Sequence, residues 1–110
     1  MKIDLMQLEF IDILLRTIAI ETEQHFGVEF TLTSLYRIDD DGVHGTLPLR
    51  GIDKRCKDKG LGKCVERWVN NRWEYDPVRP KKKCCKFHKT KDGEYHLHFQ
   101  THPNTERRHY

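Results

Sequence analysis

The chain has 110 residues, enough for one modest core and too few for a second catalytic domain. Charged residues make up 34% and aromatic residues 10%, a polar composition whose aromatic content argues against disorder. The formal net charge of +3, from 20 basic and 17 acidic residues, is too small to mark the whole chain as a polyanion binder.

In chain order, residues 4–24 read as a helix. Leu5, Leu8, Asp12, Leu15 and Ala19 sample one line, with Ile11, Leu14 and Ile18 beside it, and Gly27 stops it. Gln7, Glu9, Asp12 and Arg16 interrupt this stretch, whereas a membrane span needs roughly 20 mostly apolar residues. No small-residue cleavage site follows it either, so synthesis in the cytoplasm without a secretory signal is expected. Residues 28–37 read as a strand burying Val28, Phe30, Leu32 and Ser34. Residues 39–42 form an acidic turn and residues 43–50 a loop containing Gly45 and Pro48. Gly51-Ile52-Asp53-Lys54 is a short second strand. Residues 61–73 read as a helix with Leu61, Cys64, Val65, Trp68 and Val69 on one side. Asp76-Pro77 and Arg79-Pro80 break the chain, and two strands follow at about 83–88 and 94–101. Lys91-Asp92-Gly93 between them is a hairpin signal, and Pro103 ends the last strand. The order α, β, β, α, β, β predicts one α+β domain over residues 1–110. Its small antiparallel sheet packs against an N-terminal helix and a second, central helix.

Cys56, Cys64, Cys84 and Cys85 do not suggest a secreted disulfide framework, because Cys84 and Cys85 are adjacent. Reduced, partly buried thiols are expected. A structural zinc site using Cys84 or Cys85 with His88 and an upstream cysteine is the alternative, although the spacing fits no standard zinc finger. The basic run Arg79, Lys81, Lys82, Lys83 and the pair Arg107-Arg108 read first as solvated surface and second as a polyanion patch.

The seven histidines matter by placement. In Tyr95-His96-Leu97-His98-Phe99-Gln100, strand alternation turns Tyr95, Leu97 and Phe99 to the core and His96, His98 and Gln100 to the other face. Two imidazoles on one face can share a metal, or one can bind it while the other assists chemistry. A second cluster, His44 opening a glycine-containing loop and Asp53 on the following strand, completes a possible three-ligand zinc set with a fourth position left for water. Taken singly, His44 reads as a loop histidine and Asp53 as a turn or cap residue.

Thr33-Ser34-Leu35-Tyr36-Arg37, then His44 and Asp53, then His96-Leu97-His98 resemble the D-Ala-D-Ala carboxypeptidase group of zinc peptidases. Its wider superfamily includes murein endopeptidases and the Hedgehog signalling domain, and small phage peptidoglycan peptidases are similar in size. The resemblance implies a Zn2+ cofactor held by His44, Asp53 and His98. It implies substrate contacts from Ser34, Tyr36 and Arg37, with Arg37 pairing a carboxylate or steadying an oxyanion. His96 matches a histidine that assists catalysis. The position at which the carboxypeptidase branch carries its glutamate is Tyr95 here, and Glu94 stands immediately before it; Glu94 and His96 are thus both candidate proton-transfer groups. Gln100 and His102 are candidates to orient a ligand.

The function these residues imply is a zinc metallopeptidase cutting a peptide bond in peptidoglycan or a related D-amino-acid peptide, as a monomer. A phage lysis system would then release it to the cell wall. The alternatives are a catalytically inactive zinc-binding relative serving as a phage or cell-wall accessory protein, and, from a different class, a nucleic-acid binder; nucleic acid is not the expected partner.

Overall fold

The helix predicted over residues 4–24 is interrupted at Ile11 and Asp12. In the computed structural model, which describes residues 11–36, 49–91 and 93–108 and only the backbone of Ser34, Leu35 and Tyr36, helix α1 spans Ile13–Phe26. Asp12, expected inside the helix, is its N-cap, with its carboxylate accepting from Leu15 N at 3.1 Å. Aspartate competes for nearby backbone donors and so favours a cap over a helix interior. The same carboxylate accepts from the Thr101 hydroxyl and pairs with Arg50, which ties the start of α1 to the end of the sheet. Ile11 lies before the helix in a parallel bridge to Leu49, so the expected helical run through residues 11 and 12 is corrected, while residues 4–10 of that expectation lie outside the described residues. Gly27 closes α1 as expected, in the left-handed conformation at φ 66 that glycine adopts without steric cost.

Strand β1, Thr31–Tyr36, starts later than the expected residue 28, and residue 37 of that expectation lies outside the described residues. A register shift between Leu32 and Ser34 also breaks the simple alternation predicted there. Strand β2 is Gly51–Arg55, β4 is Cys85–Lys89 and β5 is Tyr95–Gln100. These four form one antiparallel sheet in the order β1-β2-β5-β4. The hairpin between β4 and β5 closes through Gly93 at φ +85. A small second sheet, absent from the predicted elements, pairs β3 (Trp73–Glu74) with β6 (Glu106–Arg107).

Helix α2, Lys59–Arg72, starts at the Asp58 cap. It buries Val65 and Val69 as predicted, but Cys64 is exposed rather than on the packed side. The buried line includes Gly62, where an added Cβ would lie 2.3 Å from the Phe87 ring. Both helices share one core with the sheet, built from Leu15, Ile18, Val65, Val69, Ile52, Leu97 and Phe99. This is the expected α+β architecture. Each such side chain contributes roughly 1.5–3 kcal/mol by leaving water.

Two features of this side were not legible in the chain. Lys54 points into the core, 0% exposed, with its ammonium 3.5 Å from Glu23 and 5.5 Å from the Phe99 ring centre. Helix α2 also covers the outer edge of β4: Asn70 accepts from Cys85 N at 3.0 Å and donates to Cys85 O at 2.8 Å. Glu66 on the same helix accepts from Phe87 N at 2.7 Å. Among the described residues no helix is long and apolar enough to cross a membrane.

Candidate metal and proton-transfer site

The face of the sheet turned away from the helices carries the polar side chains. Leu97 and Phe99 are fully buried on the core side, so His96, His98 and Gln100 fall on the other face, as alternation requires. The β2–β5 register then sets their neighbours: Asp53 lies opposite His98, and Arg55 opposite His96. Directly opposed residues of an antiparallel pair share a face.

Asp53 and His98, 45 positions apart in the chain, meet at 2.7 Å between Oδ1 and Nδ1. The Nε2 of His98 faces Gln100 Oε1 at 3.2 Å. Gln100 is itself oriented, because its amide nitrogen donates to Lys83 O at 2.6 Å. His98 is therefore held from both sides, with Nδ1 toward the carboxylate and Nε2 toward a fixed carbonyl oxygen.

His96 stands beside this pair under different conditions. Its side chain is 13% exposed, and neither buried ring nitrogen has a hydrogen-bond partner among the described residues. The carboxylates within ion-pairing distance are Asp53, with Oδ2 3.9 Å from Nδ1, and Glu94, with Oε2 3.5 Å from Nε2. Leaving such a group unsatisfied costs about 1–3 kcal/mol, so it marks a place where a further group would be accommodated. Glu94 is half-exposed, and the same Oε2 pairs with Arg55 at 3.4 Å. One chain of contacts thus runs from Asp53 through His96 and Glu94 to Arg55.

The fold brings four of the expected residues together: Asp53, Glu94, His96 and His98. It aligns the backbones of Ser34 and Tyr36 with Asp53 and Gly51 across β1–β2. Arg37 and His44 lie outside the described residues. His102 does not join the site; its Nδ1 accepts from Asn104 N and lies 3.8 Å from Asp76 Oδ2. Arg55 is the member that sequence reading missed, because only the strand register sets it against His96.

The donor chemistry suits zinc at two positions, an aspartate oxygen and an imidazole nitrogen whose other nitrogen is held by an outer acceptor. Asp53 Oδ1 and His98 Nδ1 would each hold the metal through the atom that now makes their 2.7 Å contact, so loading would replace that hydrogen bond. Among the described residues no three His, Cys, Asp or Glu side chains converge as a metal cluster, and the third implied ligand, His44, is outside them. The cysteine alternative finds no such cluster there either: Cys56, Cys84 and Cys85 are buried and free, and Cys64 is exposed.

Comparison with known protein families, curated proteins and solved structures returns no match for this chain.

Proposed function

We propose that the chain is a zinc metallopeptidase acting on a peptide bond in peptidoglycan or a related D-amino-acid peptide. Asp53, His98 and His44 hold the metal. The observation carrying this reading is the Asp53–His98 contact across β2 and β5, set beside a buried histidine with two unsatisfied nitrogens. Bound there, zinc supplies Lewis acidity toward a carbonyl and toward water.

The chain's own groups do the rest. Gln100, fixed by Lys83 O, orients the His98 ring. His96 and Glu94, 3.5 Å apart, are the proton-handling pair, taking a proton from the attacking water and returning it to the leaving amine. Arg37 pairs with a substrate carboxylate or steadies the oxyanion.

The reading is tested by elemental analysis of the purified protein and its variants. About one zinc per chain is expected, consistent with a three-ligand site. His98→Ala and His44→Ala should each remove the metal, and Asp53→Ala should weaken it. Full zinc retention in both histidine variants sinks the ligand set. New amino groups released from purified peptidoglycan by the zinc-loaded protein support hydrolysis; their absence points to the inactive zinc-binding relative.

A further inference from the structure

A basic stripe wraps the rim of the sheet where β5 begins. On the helix side, Lys59 and Lys63 stand one turn apart at the start of α2, and Lys89 is the cross-strand partner of Tyr95. The ammonium groups of Lys59 and Lys89 lie 5.0 and 5.9 Å from the Tyr95 ring centre. The Tyr95 hydroxyl is held below its ordinary value, first by a hydrogen bond with Lys59 and then by the charges of Lys59, Lys89 and Lys63. Arg55 and Lys57 continue the stripe toward the other face, where Arg55 lies opposite His96. A hollow lined by Arg55, Lys57, Glu94 and Tyr95 joins the two sides. All of these cations are exposed.

Clustered like charges repel, and here the neighbouring carboxylates are engaged elsewhere. Glu94 pairs with Arg55. Asp58 caps α2 by accepting from Leu61 N, and Glu66 on the same helix accepts from Phe87 N. Among the described residues Lys57, Lys59, Lys63 and Lys89 form no ion pair with a carboxylate. Other basic side chains differ: Arg79 pairs with Asp76, Arg107 with Glu21 and Arg108 with Glu74. A row of unneutralised ammonium groups suits a ligand with successive, spaced negative charges, whose counterions it displaces. Nucleic-acid bases would also need an aromatic ring to stack on. The ring of Tyr95 is already covered: Phe87 stacks on it at 5.3 Å and 14°, and Lys59 and Lys89 lie over it.

We infer that this stripe docks a phosphodiester-linked polymer of the cell wall, a chain of the poly(glycerol phosphate) type that carries charge without bases. The inference rests on the peptidoglycan reading for the choice of a wall polymer. The stripe meets the candidate site at Glu94, whose Oε2 lies 3.4 Å from Arg55 Nη2 and 3.5 Å from His96 Nε2. A polymer held along Lys63, Lys59 and Lys89 therefore ends beside the face that carries Asp53 and His98. Docking of this kind keeps the domain on wall that bears the polymer and raises its effective concentration at the neighbouring peptides.

The test is fluorescence anisotropy with labelled poly(glycerol phosphate) across about 50–200 mM salt, on the protein as purified and again after chelation. Binding should survive chelation and weaken with salt, log K falling by about 0.7 per contacted phosphate for each tenfold rise. Lys59→Gln with Lys89→Gln should weaken binding about tenfold and reduce that slope by about 1.4. Lys81→Gln with Lys82→Gln should leave both near wild type, because that run lies at the opposite end of β5, where Lys83 O holds Gln100. These side chains are exposed, and a wild-type Tm shows each variant folded. No binding by the wild type, or an equal loss in the two double variants, would overturn the inference. Equal or tighter binding of a single-stranded oligonucleotide of matched charge would also overturn it, by making the surface one for nucleic acid. Zinc content is read separately. Salt-sensitive polymer binding by a protein that takes up no zinc refutes the metal site and keeps the stripe, whereas zinc uptake without polymer binding refutes the stripe alone.

Discussion

At the scale of single residues, His96 and His98 illustrate how two imidazoles on one strand take different work. His98 is held between a carboxylate and a fixed amide oxygen, the environment of a ligand whose ring must not turn. His96 is buried against oxygens that stand too far for a hydrogen bond, the environment of a group waiting for a reactant. His96→Ala and Glu94→Ala should therefore retain zinc while lowering kcat about 10²- to 10⁴-fold, measured on the metal-loaded protein. Wild-type turnover in both variants would exclude the pair from proton transfer. The cysteines carry a separate expectation. Burial pushes the Cys84 thiol up to about 12 and Cys85 well above the ordinary thiol value, and it also raises Cys56. Thiolate is the reactive form, so a disulfide reagent should modify Cys64 quickly in the folded protein and the other three only on unfolding. Rapid labelling of two or more thiols would contradict that burial.

Between elements, α2 is the piece whose contacts are easiest to test. Gly62 lets the helix approach the Phe87 ring, and that ring is stacked on Tyr95 at 5.3 Å. In Gly62→Ala, overpacking of about 1–3 kcal/mol opposes a helix-propensity gain of about 1 kcal/mol, and urea unfolding should show a net loss. Adding Phe87→Ala should make the alanine favourable relative to glycine in that background. Asn70→Ala should cost about 2–3 kcal/mol, because it leaves a strand N–H and C=O without their partner. The chain announced much of this level. The 3.6-residue stripe of Val65 and Val69, the Asp-Gly turn and the alternation from Tyr95 to Gln100 are local signals, and each produced its element. Cap chemistry at Asp12 broke the expected helical run there, and β3–β6 escaped notice because two-residue strands carry no periodicity. The Asp53–His98 pairing was suggested by resemblance, but the Arg55–His96 pairing needed register, which no local pattern encodes.

For the whole molecule, the buried Lys54–Glu23 pair links α1 to the sheet at an electrostatic cost. Burial lowers the Lys54 value, with the Glu23 carboxylate acting in the opposite direction. The unfolded chain thus binds this proton more tightly than the folded one. Stability from Lys54 rises with pH between the depressed native value and the ordinary 10.5, and is lost as pH falls back through that window. Buried Cys84 and Cys85 act with the opposite sign, so the effect is read as the difference between wild type and Lys54→Met across alkaline pH. Lys54→Met alone should cost about 3–5 kcal/mol by stranding Glu23, and Lys54→Met with Glu23→Gln should recover most of it. An unchanged deficit in the double variant would mean the pair is not what stabilises the contact. The basic C-terminal pair is likewise committed internally: Arg107 binds Glu21 through both carboxylate oxygens and Arg108 reaches Glu74. These two arginines are thus less available to a polyanion than the run suggests. The covered edge of β4 has a kinetic consequence. The amide hydrogens of Cys85 and Phe87 are held by side chains of a helix rather than by a neighbouring strand. Their exchange with solvent deuterium therefore times the undocking of α2, while the amide of Gln100, bonded to Cys84 O just before β4, times the parting of the start of β4 from the end of β5. One exchange experiment separates the clock of the helix from the clock of the sheet that carries the site.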